Sequence, residues 1–303
     1  MFKFLNKKEC PQRSPKTWTK KSVPNVQIEK TEKEVKVLDL TNDIIVHREI
    51  DGTEFLQFRK LLEFPNVKHC YTLRKNHINV QIKGQDKTDL IDSYKKIAKA
   101  LEIDYHNIIK PHQTHTDRVE IVNRPEEVWD EVDGMITNQR NIFLCTTSAD
   151  CTSLFFYDDK KKVVGDVHSG WKGTLQQIGK KAVEKMKKEF DCHPEDIICC
   201  IGPCIQKCHF EVEEDVMKLF EKEFTYTGRI QEIIERGRKV EEKQKYNIDT
   251  TLINKLILQE AGLVPENIMD SGICTVCHSD LFHSYRVDKE QSGRNGAFIG
   301  MIL

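Results

Sequence analysis

No stretch of this chain of 303 residues approaches the roughly 18 consecutive apolar residues of a membrane-spanning helix. The first twenty residues, MFKFLNKKECPQRSPKTWTK, lack the apolar centre of a signal peptide and are richer in Lys than a transit peptide. A cytoplasmic location is therefore expected. An excess of either charge is missing as well, since Lys+Arg 47 against Asp+Glu 48 leaves a net charge of −1. That argues against a basic surface for nucleic acid and points to a small substrate. An even cysteine count is absent too. Eleven cysteines in a chain without export signals imply free thiols and metal ligands in place of a disulfide framework.

What is present is a mixture of two periodicities. Residues 1–35 are basic, contain Pro and show almost no periodic hydrophobicity, which predicts a flexible arm ahead of one folded domain at 36–303. Alternating runs VKVLDL, IIVHREI, EFLQF and NVKHCYTL predict strands, with Asp51-Gly52 as a hairpin turn. The period then changes: Leu90, Ile91, Tyr94, Ile97, Ala98 and Leu101 fall on one helical face. Further strands are expected at 119–122, 142–145, 154–157, 163–167 and 197–202, and helices at 174–190, 213–224 and 249–261, the last closed by Gly262 and Pro265. The charged stretch 229–245 is expected to be a solvated helix, and 281–286 and 297–302 to be strands. Without strict βαβ alternation or a repeat, the fold class is α+β, with mixed or antiparallel sheets and flanking helices.

The chemistry concentrates in TSADCTSLFFYDDKKKVVGDVHSGWKG, 147–173. Two short apolar runs joined by a charged turn read as a hairpin, whose open end brings Cys151 and His168 together. His115, 36 residues before Cys151, follows another short apolar segment and is a third candidate. One thiolate and two imidazoles suit zinc, and three protein ligands leave the fourth position that a catalytic zinc needs. Gly170-Trp171-Lys172-Gly173 leads into a predicted helix, whose free N–H groups could hold phosphate, or which is simply a glycine-rich helix start. Asp150 is the nearest candidate acid or base, although an Asp beside a turn also serves by capping N–H groups. Arg74, Arg286 and Arg294 are candidate clamps for an anion, because a guanidinium fork matches phosphate geometry. Cys274-x-x-Cys277 has half of a zinc-finger spacing with no matching second pair. Cys199, Cys200, Cys204 and Cys208 fall on or just after a predicted core strand and read first as small buried hydrophobes, a second metal site being the alternative.

Six segments in order carry a resemblance: QTHTDRV at 113–119, VDGM at 132–135, TSADC at 147–151, VHSGWKG at 167–173, IGPCI at 201–205, and LFHSYRVD at 281–288 with SGR at 292–294. Together they resemble the YfiH-like, laccase-domain family of purine nucleoside phosphorylases, from about Phe55 to the C-terminus. The resemblance implies a single α+β domain with one catalytic zinc on His115, Cys151 and His168. It further implies phosphorolysis of adenosine, inosine, guanosine and methylthioadenosine, with adenosine deamination as a second activity. One departure stands out: Arg74-Lys75-Asn76-His77-Ile78 replaces the family's Gly-Gly-Val-Ser-like loop. The family's other association, multicopper oxidation, needs many His ligands in closely spaced pairs, and the 11 His here include no His-x-His pair. Two other classes fit the same residues. A cysteine hydrolase would use Cys151 as nucleophile and His168 as base, and a structural-zinc module would need a fourth ligand such as His112 or Cys145.

Overall fold

The long apolar hairpin forms as its sequence predicts, because both faces of its strands are covered. Thr152–Asp158 pairs antiparallel with Val163–Ser169, and every residue of both strands is buried. Phe155 and Tyr157 point into one core and Leu154 and Phe156 into another. The structure is a computed structural model that describes residues 36–37, 39–80, 87–125 and 129–303. The expected arm, 1–35, lies outside the described residues.

The hairpin is the centre of a six-stranded sheet in the order Ile268–Asp270, Ile197–Ile201, Thr152–Asp158, Val163–Ser169, Gly134–Thr137 and Val119–Ile121. Its inner pairings are antiparallel and its two outermost are parallel. A seven-stranded sheet runs Lys36–Val37, Ile45–Ile50, Thr53–Phe58, Val67–Thr72, Asn295–Met301, Phe143–Ser148 and Ile108–Ile109. Only the last pairing in it is parallel. The two sheets pack face to face around Leu56, Tyr71, Leu144 and Ile299 on one side and Met135, Phe155, Tyr157 and Val164 on the other. A buried carboxylate also crosses the gap: Asp166 accepts from the Thr146 amide at 2.7 Å and the Thr146 hydroxyl at 2.8 Å.

Helices close the outer faces, giving helix, sheet, sheet, helix layers. Lys87–Leu101 lays Ile97, Ala100 and Leu101 on Phe55, Cys70, Cys145 and Phe298. Ile178–Phe190 lays Ile178, Ala182, Val183 and Met186 on Leu154, Phe156 and Val167. The expected α+β class is what forms. Among the described residues no helix is long and apolar enough to cross a membrane.

Three expectations fail for local reasons. The helix expected from 174 is split into Trp171–Leu175 and Ile178–Phe190 by Gln177, which adopts a left-handed φ of 56°. The charged stretch 229–245 is mostly not helical: after a single turn at Ile230–Ile233, Ile234–Val240 and Lys243–Ile248 form a hairpin on Glu211–Val212. Its helix-favouring Lys and Glu residues offer no apolar stripe for a helix to bury, so strand pairing wins. The segment 281–286 is a turn entering the short helix Tyr285–Asp288, not a strand. That helix begins where the Asp150 carboxylate accepts from the Ser284 hydroxyl at 3.0 Å and the Arg286 amide at 2.7 Å, satisfying a first-turn N–H from outside.

Candidate metal centre

Strand register places the first two ligands. Ser153 pairs with His168 and Thr152 with Ser169, so Cys151 lies one residue beyond the open end of the hairpin. His115 arrives on the loop before Val119–Ile121 in a left-handed conformation, φ 63°. Cys151 Sγ is 3.9 Å from His115 Nε2, the two imidazoles meet edge to face with centroids 5.0 Å apart, and the ligand atoms of all three residues lie within 4.8 Å of one another.

Asp133 assembles the trio, and it is the residue that sequence reasoning missed. Its Oδ1 accepts from His168 Nδ1 at 2.7 Å and its backbone carbonyl accepts the His168 amide at 2.7 Å. The same carboxylate accepts the amides of Thr114, His115 and Thr116 and the Thr116 hydroxyl. One side chain therefore fixes the loop of His115 and turns His168 so that its Nε2 is the ligand nitrogen. The signal was present in the VDGM segment, which contains an acidic residue amid apolar and small ones. Gln113 adds a second tie, its side chain exchanging hydrogen bonds with the backbone of Thr147 at 2.8 and 2.9 Å. Gly170 closes the set: a Cβ there would stand 2.7 Å from His115 Cδ2 and 3.4 Å from Cys151 Sγ.

The electrostatics favour the ligand form of the thiol. Burial opposes ionisation of Cys151, but the His168 charge and hydrogen bonds from both imidazoles bring it down to about 6. Burial likewise opposes protonation of His168, yet the Cys151 thiolate and Asp133 raise it to about 10. Asp133, despite its own burial, is held down to about 2 by His168 and the Thr116 donors. Without a metal the pair is a thiolate and an imidazolium; a cation at the site would replace that proton.

The trio sits at a cavity of about 670 Å³ whose wall includes Trp171, Ile205, Phe210, Tyr285 and Lys289. Arg286 and Arg294 line it, as does Asp150. Arg286 donates to the His209 carbonyl at 2.9 Å and Arg294 to the carbonyls of Ser292 and Gly293. Arg74 is not brought to this wall; its guanidinium is held by the carbonyls of Ser279 and Phe282 and by Asp288 at 3.1 Å. Burial raises the Asp150 carboxyl although Thr275, Arg286 and Ser284 all donate to it. The segment at Gly170 enters a helix of only five residues. It packs on the ligands and does not offer the long helix end expected for an anion.

These residues fit a resident metal ion. The donor set is one thiolate and two imidazoles, His168 is oriented through its other ring nitrogen, and one side of the trio opens on the cavity. Neither candidate fourth ligand joins it. His112 pairs with Asp130 at 2.5 Å, and Cys145 is buried between Phe55, Cys70 and Phe298 on the far face of its sheet. Among the described residues the group therefore has three ligands.

Fold and site define an α+β double-sheet protein with a three-ligand His/Cys centre at the end of a buried hairpin. The chain belongs to the family described as multi-copper polyphenol oxidoreductase laccase, which matches residues 69–302. It is 33% identical over 234 residues to purine nucleoside phosphorylase YlmD of Bacillus subtilis, covering 74% of this chain and 82% of that one. Purine nucleoside phosphorylase SERP0752 of Staphylococcus epidermidis is 37% identical over 199 residues, covering 63% and 71%. Among solved structures, Bacillus licheniformis hypothetical protein YfiH superposes with a TM-score of 0.73 at 27% identity, covering 83% of this chain and 97% of that one.

Proposed function

We propose that this chain is a zinc-dependent purine nucleoside phosphorylase acting on adenosine, inosine, guanosine and methylthioadenosine, with adenosine deamination as a second activity. The observation that carries the reading is the three-ligand centre of His115, Cys151 and His168, oriented by Asp133 and open to a cavity of about 670 Å³. That volume suits a small ligand such as a nucleoside with phosphate beside it. The names of the relatives at 33% and 37% identity point the same way.

In phosphorolysis a phosphate oxygen bonds to the ribosyl carbon while the carbon–nitrogen bond to the purine breaks, and the base leaves with the electron pair and takes a proton. The ribosyl carbon gains oxocarbenium character on the way, so the residues must hold phosphate and base on opposite faces of it. Arg286, Arg294 and Lys289 supply the positive charge around the cavity for phosphate. Asp150 acts through Arg286: its carboxylate accepts from the Arg286 amide and from the Ser284 and Thr275 hydroxyls, which fixes the start of the helix that carries this guanidinium. When bound, zinc would supply Lewis acidity toward phosphate in phosphorolysis and toward the attacking water in deamination. Copper oxidation is not proposed, because the chain has no His-x-His pair of the kind a multicopper cluster uses.

The thiolate and imidazolium of Cys151 and His168 favour one second reading, a cysteine hydrolase. Product formation from adenosine and inosine by the purified, metal-quantified protein, with and without phosphate, separates the two. Adenine or hypoxanthine released only with phosphate, and lost together with zinc in His168→Ala, supports the phosphorylase. Base release that persists in zinc-free His168→Ala would sink it. Arg294→Ala is expected to keep zinc and raise the phosphate KM.

A further inference from the structure

Away from the cavity trio, two turns bring a second set of soft ligands together. Cys208 and His209 lie in the turn after the strand Ile197–Ile201, and Cys274 and Cys277 in the turn after Ile268–Asp270. The turns are zipped to one another by backbone hydrogen bonds, from the Cys204 amide to the Ile273 carbonyl at 3.2 Å and from the Thr275 amide to the Cys204 carbonyl at 3.1 Å. We propose that Cys208, His209, Cys274 and Cys277 form a second metal site, closed and structural, which takes a zinc-like divalent ion and braces one wall of the cavity.

The ligand-atom separations are close to those of a tetrahedral site. Bond lengths of about 2.3 Å to sulfur and about 2.05 Å to nitrogen put sulfur pairs about 3.8 Å apart and sulfur–nitrogen pairs about 3.6 Å apart. Here Cys208 Sγ is 3.7 Å from Cys277 Sγ. His209 Nδ1 is 3.6 Å from Cys274 Sγ, 3.5 Å from Cys277 Sγ and 3.2 Å from Cys208 Sγ. All four ligand atoms lie within 4.8 Å of one another, with Cys274 and Cys277 buried. Four protein ligands leave no position for substrate, which is the mark of a structural site.

The connection to the cavity is direct. The His209 carbonyl accepts from Arg286 at 2.9 Å, Phe210 next to it lines the cavity, and Thr275, beside Cys274, donates to Asp150 at 2.6 Å. An ion holding the two turns therefore holds Arg286 and Asp150 as well. Cys277 is disulfide-bonded in this structure, a departure from the expectation of free thiols throughout. The metal-loaded form is reached when a dithiol reduces that bond and is itself oxidised to its disulfide; the freed Cys277 thiol then gives its proton to solvent as it binds the ion.

Metal counting on protein purified and kept in a dithiol tests the proposal. Two ions per chain are expected for the unaltered protein, with one remaining in Cys274→Ser and one remaining in His168→Ala. Cobalt(II) loading provides a second readout that leaves all four ligands of the second site unaltered. With three of four thiolate ligands in the second site, about three quarters of the sulfur-to-cobalt absorption should survive in Cys151→Ala, and diamide oxidation should remove most of it. One ion per chain in the reduced protein, with cobalt absorption abolished by Cys151→Ala, would overturn the second site while leaving the first in place.

Discussion

At the scale of single residues, the centre depends on two residues that touch no substrate. Asp133 joins His168 to the loop of His115 through one carboxylate. Asp133→Asn keeps the shape but replaces one acceptor oxygen by a donor facing backbone N–H groups, so metal affinity should fall by about 10- to 100-fold. Titration with a competing chelator measures it, and an unchanged affinity would remove Asp133 from this role. Gly170 matters through absence of atoms. A methyl group there meets the His115 ring at 2.7 Å, so Gly170→Ala should displace that ligand and lower turnover by at least about tenfold. Its circular dichroism spectrum should stay as it is, because the clash is with a side chain and not with a strand.

At the scale of elements, secondary structure is held by the same local rules wherever the chain is read. Thr250–Glu260 starts with Asp249, whose Oδ1 accepts the Leu252 amide at 2.8 Å. Asp249→Ala should cost about 1 kcal/mol of stability, seen as a lower urea midpoint with unchanged slope; no shift would mean that packing of Ile253 and Ile257 alone sets this helix. Asp51 and Gly52 both take positive φ, 50° and 75°, between strands Ile45–Ile50 and Thr53–Phe58, as the two-residue turn signal requires. The hairpin at 234–248 turns through Glu241 and Glu242 with φ of 47° and 63°. Neither residue type announces a left-handed turn, which is why the sequence of 229–245 predicts a helix and not this hairpin.

For the whole molecule, burial of polar groups couples folding to pH. His69 lies fully buried in the seven-stranded sheet, where Nε2 accepts the Phe58 amide at 2.8 Å. Burial above all, with the nearby Arg48 charge, holds its pKa down to about 3, below the usual imidazole range near 6.5. Its contribution is therefore fully present above pH 6.5, where folded and unfolded forms are both neutral. It is lost as pH falls toward 3, because the unfolded state takes up the proton first. The slope from this one group is about 1.4 kcal/mol per pH unit. Urea unfolding at pH 7, 6 and 5 should show this loss for the unaltered chain and a flatter profile for His69→Gln, which keeps an acceptor without a titrating ring; parallel profiles would contradict it.

Local pattern alone determined the fold class, most strands, the long helices and the pairing of Cys151 with His168, because period-2 and period-3.6 burial and a short hairpin are properties of neighbouring residues. His115 was legible only as a candidate, since nothing local says that a loop 36 residues upstream returns to the hairpin. What brings it there is Asp133, on a chain segment that joins loop and strand across the sheet. The Cys-x-x-Cys at 274–277 lacked a partner in sequence for the same reason. Its partner is Cys208-His209, more than sixty residues away, and only parallel pairing of Ile197–Ile201 with Ile268–Asp270 sets the two turns side by side. Contacts of long sequence separation are chosen by how the sheets stack and which faces can be buried together, a property of the whole chain that no window of it contains.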